Sequence, residues 1–152
     1  MPRDVEMLKR DVRSMRQLVQ RERGNDDPWD LKLADGGLMD IDFIAQFFIL
    51  SLAVVEPGLV GADFNVAMRL IASAGALPRD VADTLREARE LMSGVTQLTR
   101  IAIDGRFDPQ HVASGVLRRI ASAGGFPDFA ALDAAVLDAR ARARRIFFDL
   151  LP

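Results

Sequence analysis

Apolar residues recur along this chain at helical steps. Val5, Leu8, Val12, Met15 and Val19 fall at alternating spacings of three and four, with charged residues between them. The pattern predicts an amphipathic helix from Pro2 to about Arg23 with one apolar seam. It is too short for the sustained heptads of a coiled coil, so packing on a bundle is expected. Gly24-Asn25-Asp26-Asp27-Pro28 combines a helix-stopping Gly, turn formers and a Pro that blocks continuation. The densest apolar run follows, Leu38 to Val55, and predicts a buried central helix opened by Gly36-Gly37.

Beyond the break at Glu56-Pro57-Gly58, Asp63 is placed to cap a helix from Phe64 to about Ala74, ended by Gly75. Pro78-Arg79-Asp80 reopens the chain, and Val81, Leu85, Ala88, Leu91, Met92, Val95, Leu98 and Ile101 predict a long helix to about Ile103. After Asp104-Gly105, Asp108-Pro109 reads as an N-cap followed by Pro at the first helical position, with the helix reaching Ala123. Gly124 to Asp128 is the last break before a helix from Phe129 to about Leu151. The strings Arg69 to Pro78 and Arg118 to Pro127 echo each other, which the common grammar of helix hairpins explains better than a structural repeat, since a solenoid needs at least three units. No segment alternates as a strand. The expected fold is all-α: residues 1–152 as a single helical domain, a bundle of about six helices around a buried central one.

Composition narrows the function classes. A net charge of -2 disfavours binding to nucleic acid, which normally demands a basic excess. With no Cys and His111 as the single His, neither a disulfide framework nor a zinc site is available. The N-terminus lacks the apolar stretch of a signal peptide, so a cytoplasmic location is expected. The Leu38–Val55 run contains Asp40, Asp42, Gln46 and Ser51 and is barely long enough to span, which favours a buried helix over a membrane one.

Candidate chemistry concentrates around the glycine pair. Six aspartates lie between Asp26 and Asp42 with one cation, Lys32. Such oxygen-rich stretches suit Mg²⁺, although solvated turns and helix caps account for single members equally well. Gly36-Gly37 before a helix invites phosphate binding through free N–H groups, against a plain tight helix entrance. Asp42 and Gln46 share a face of an otherwise apolar helix, so they must pair within the bundle or line a cleft shared with another domain. His111 reads as a surface residue, and Trp29 as a packing anchor. Arg140, Arg142, Arg144 and Arg145, with Arg118 and Arg119, form either a solvated face or a docking patch for an acidic partner. No nucleophile with its base, and no acid and base pair, is complete, so a support or recognition module is expected.

The string Asp30-x-Lys32, then Gly36-Gly37-x-x-Asp40-Ile41-Asp42-Phe43-Ile44-x-Gln46, resembles the helical domain that follows the nucleotidyltransferase domain in glutamine synthetase adenylyltransferases. Pro2-Arg3-Asp4, Met15-Arg16 and Arg145-Ile146-Phe147 to Leu151 extend the likeness, and Asp35 resembles the adenylylating half of those enzymes. Asp42 departs from it: the family usually carries Glu there, so the charge is kept and the reach shortened. The resemblance implies AMP transfer from Mg²⁺ and ATP to a Tyr of glutamine synthetase in a parent enzyme under PII control, with the catalytic motif on a preceding domain. It implies no catalytic residue, metal or cofactor in this chain. Lys32, Gly36, Gly37, Asp40, Asp42 and Gln46 are expected to line the interdomain active site, with Lys32 and the glycines near phosphates, and Arg140 and Arg144 are the candidates for partner docking. Two alternatives stand beside this reading. One is a non-catalytic module binding glutamine synthetase or PII. The other is the related helical domain of a PII uridylyltransferase, which shares Gly-Gly-Leu-x-Asp-Ile.

Overall fold

A computed structural model describes residues 4–152. Six α-helices make the bundle: α1 Val5–Arg23, α2 Leu38–Leu52, α3 Phe64–Ser73, α4 Arg79–Ala102, α5 Ser114–Ala123 and α6 Phe129–Leu150. Short 3₁₀ turns occupy Pro57–Leu59 and Pro109–His111, and no strand occurs among the described residues. The expected all-α bundle is therefore what forms. The expected start of the first helix at Pro2, and the likeness at Pro2-Arg3, lie outside the described residues.

Helix starts follow their caps. The carboxylates of Asp4, Asp63 and Asp128 accept from the N–H of Glu6, Val66 and Ala131 at 3.0, 2.9 and 2.8 Å, each satisfying a donor that the helix leaves unpaired. Helices α3 and α5 end alike. Ala76 N–H returns to Ile71 O and Phe126 N–H to Ala121 O, around left-handed Gly75 (φ 76°) and Gly125 (φ 84°). The equivalent glycine is thus Gly125, one residue on from the Gly124 that the sequence echo aligns with Gly75. A shared way of ending a helix accounts for the likeness.

Helix α2 is the centre, packing on α1, α3, α4 and α6, while α4 against α6 is the most extensive pair. Ile41 and Ile44 are fully buried in a core that also holds Phe47 and Phe48 of α2, Leu85 and Met92 of α4 and Phe147 of α6. Each such side chain is worth roughly 1.5–3 kcal/mol in transfer from water. Trp29 meets Phe107 edge-on at 5.1 Å and Phe129 at 5.5 Å, which fixes the loop before α2 against the loop before α5 and the start of α6.

The structure corrects the sequence reading at three elements. The buried stripe of α1 is Leu8, Val12 and Arg16, while Val5 and Met15 of the expected seam are about half exposed. Helix α2 stops at Leu52, leaving Val54 and Val55 in solvent. Asp108 caps only the 3₁₀ turn, accepting from Gln110 N–H at 3.0 Å, because Val112 and Ala113 are extended (ψ 137° and 138°) and delay α5 to Ser114.

Candidate functional site

The glycine motif folds as a clasp around one carboxylate. Asp40, in the first turn of α2, is completely buried. Its Oδ1 accepts from Arg16 Nε of α1 at 2.6 Å; its Oδ2 accepts from Gly36 N–H at 2.6 Å and from Arg144 Nη1 of α6 at 2.9 Å. Arg16 is itself buried and satisfies its other donors on Leu33 O (2.9 Å) and Gln20 Oε1 (3.1 Å). One side chain thereby ties α1, α2, α6 and the intervening loop together. A buried charge pair is tolerated only when its hydrogen bonds are met this fully.

The glycines belong to the same clasp. Gly36 has φ +72°, and a Cβ there would run into the backbone carbonyl of Arg140 on α6. A Cβ at Gly37 would strike the carbonyls of Leu31 and Ala34. Both positions therefore require glycine, Gly36 for its backbone conformation as well as its space. Arg140 closes the contact from outside, donating from Nε to Asp35 O at 3.0 Å and from Nη1 to Pro28 O at 3.3 Å.

This geometry revises several sequence expectations. The N–H groups at the start of α2 do not await an anion: Gly36 donates to Asp40, Gly37 to Ala34 O, Leu38 to Leu31 O and Met39 to Lys32 O. The glycine pair is therefore a tight helix entrance, not a phosphate cradle. Asp40 faces inward and lines no open cleft. Arg140 and Arg144, the two docking candidates, staple α6 to the motif loop and remain partly exposed. The aspartates between 26 and 42 disperse: Asp27 pairs with Arg106 at 3.3 Å, Asp40 with its arginines and Asp42 with Arg89 at 3.6 Å. Among the described residues no group of three or more acidic or His side chains could hold a metal ion.

What stays open is the outer face of the same motif. Lys32, Asp42 and Gln46 are exposed, Asp42 and Gln46 one turn apart on α2. The buried polar residue of α2 is Asp40, two positions earlier. Asp42 reaches Arg89 of α4, whose guanidinium lies over the Phe64 ring at 4.6 Å. Partial burial pushes the Asp42 carboxyl above its usual range, against the pull of Arg89 and the more distant Lys32. Gln46 makes no side-chain hydrogen bond among the described residues. Lys32 also stands on the rim of an open groove of about 580 Å³ between the motif loop and the C-terminal part of α4, with Asp30, Thr96, Thr99 and Arg100.

Sequence reasoning missed Arg16 and Arg89. Arg16 left a signal, since it continues the Leu8, Val12 stripe and so needed a buried acid. Arg89 left none, because pairing across helices depends on how α2 and α4 are placed.

Comparison with known proteins decides the kinship. A family model described as GlnD PII-uridylyltransferase matches residues 6–151. The chain belongs to that family. Within the GlnD PII-uridylyltransferase family its curated relatives include the bifunctional glutamine synthetase adenylyltransferase/adenylyl-removing enzymes of Rhodopseudomonas palustris strain BisB5, 38% identical over 99% of this chain, and Bradyrhizobium sp. strain BTAi1, also 38% over 99%. That of Xanthobacter autotrophicus is 35% identical over 99%. The chain spans 15% of the length of each of these relatives. The likeness read from the glycine motif thus holds along the whole chain, in relatives that carry much more than this helical unit.

Proposed function

We propose that this chain is the helical accessory domain of an enzyme that adenylylates glutamine synthetase, set against a nucleotidyltransferase domain that carries the chemistry. The observation that carries the reading is the division of one motif into two faces. Gly36, Gly37 and Asp40 turn inward and fix the start of α2 against α1 and α6. Lys32, Asp42 and Gln46 turn outward from the backbone that this clasp holds. An exposed polar face on which the Lys32 and Gln46 side chains pair with nothing among the described residues suits a wall of a site completed by another domain. The names and greater length of the relatives support the same view.

ATP and Mg²⁺ are the AMP source in this reading, but the residues present do not fit a site for them. At the helix entrance the N–H groups of Gly36, Gly37, Leu38 and Met39 are already taken, and among the described residues the acidic side chains do not converge. The nucleotide and its metal are accordingly assigned to the neighbouring domain, and this chain's part is to position and enclose. Control by PII and a cytoplasmic location belong to the same proposal; no described helix is long and apolar enough to cross a membrane.

A second reading, the helical domain of a PII uridylyltransferase, is favoured by the description of the matching family. Assays of the full-length enzyme separate the two. AMP transfer to glutamine synthetase supports the first reading, and UMP transfer to PII in its place overturns it. Within the first reading, Lys32→Ala or Asp42→Ala is expected to lower AMP transfer about ten-fold or more with unchanged thermal stability, the scale of one charged contact in an active site.

A further inference from the structure

A second polar site lies in the groove between α3 and α4, and shares no lining residue with the motif. It has a volume of about 500 Å³ and is lined by Met68, Arg69, Ser73, Arg79, Ala82, Asp83 and Arg86, among others. Met68 and Ala82 form a buried apolar floor. Three of the lining residues are arginines from two helices, Arg69 on α3 and Arg79 and Arg86 two turns apart on α4. The one carboxylate in the wall, Asp83, pairs with Arg86 at 3.5 Å. Arg69 and Arg79 pair with no carboxylate among the described residues, although the chain as a whole is acidic. Three Arg and one Asp leave the lining at +2.

A cleft lined by an excess of one charge concentrates ions of the other. A planar carboxylate accepts one guanidinium fork well, whereas a phosphoryl group offers three free oxygens to forks arriving from different helices. The volume falls in the small-ligand range. We infer that the α3–α4 groove binds a phosphoryl-bearing small molecule through Arg69, Arg79 and Arg86. The site is separate from the Lys32, Asp42 and Gln46 row and does not depend on the adenylylation reading.

The test is titration of the 152-residue protein with pyrophosphate, followed by calorimetry and by amide chemical shifts. Saturable binding is expected, with shifts confined to residues 68–73 and 79–86, and roughly ten-fold weakening in each of Arg69→Gln and Arg79→Gln. Both side chains are exposed, so the variants should keep the parent's melting temperature, and Asp83→Asn, which removes the competing carboxylate, should tighten binding. Shifts that never saturate, or equal affinity in the Arg69→Gln, Arg79→Gln double variant, would overturn the inference. Glutarate binding as tightly as pyrophosphate would overturn the phosphoryl assignment, since the groove would then be a general anion site.

Discussion

Asp40 and Asp42 stand two residues apart and do opposite things. Asp40 is sealed inside with Arg16, Arg144 and Gly36 N–H on its oxygens. Asp40→Asn leaves Arg16 buried beside a neutral group, a change that costs about 3–5 kcal/mol when a buried pair is broken. A thermal melt should fall by about 6–20 °C, given about 2–4 °C per kcal/mol in a chain of this size. Gly36→Ala meets both a left-handed backbone and the Arg140 carbonyl, so urea unfolding should show a loss of at least about 1–3 kcal/mol. Asp42 behaves the other way. Its carboxyl is pushed up by partial burial, so its ionised form is disfavoured in the folded state relative to the unfolded one. That contribution favours folding below the ordinary carboxylate range and is lost as pH rises through the raised value. Asp42→Asn should therefore melt at or above the parent temperature at pH 7, with the difference vanishing on acidification. The motif's text shows an acid at both places, and burial alone separates them. Which acid is inside follows from the helical phase of α2, where Asp40 precedes Ile44 and Phe47 on the core side.

At the scale of elements, α1 is the most dependent helix. It packs on α2 through Leu8 and Val12, and the third member of that stripe is the buried Arg16. Arg16→Met keeps the volume but removes the charge from Asp40, so α1 should open before the rest. Hydrogen exchange is expected to speed up across α1 while amides of α4 and α6 keep their protection; uniform acceleration in all helices would show that α1 is no separate unit. The helices themselves were largely legible in the sequence, because Asp63, Asp128 and the glycines after α3 and α5 are strong local signals. The failures have physical causes. The seam of α1 was read from apolar letters alone, and Arg16 takes a core position because Asp40 lies opposite. The 3₁₀ turn at Pro109 carries the same local signature as a helix start, and only the extended Val112 and Ala113 distinguish it.

For the whole molecule, the proposed function needs a bundle that offers a small polar face to a neighbouring domain. The clasp joins residues far apart in sequence, Arg16, Asp40 and Arg144, so the site was legible only as a motif and not as a geometry. Reading the motif as one functional unit merged residues that hold the fold with residues that can meet a partner. The direct test compares Asp40→Asn, Lys32→Ala and Asp42→Ala in the full-length enzyme, measuring AMP transfer to glutamine synthetase alongside the melting temperature of each variant. The account predicts that Asp40→Asn loses stability, whereas Lys32→Ala and Asp42→Ala keep the parent melting temperature and lose transfer about ten-fold or more. Parent-level transfer in both surface variants would contradict it.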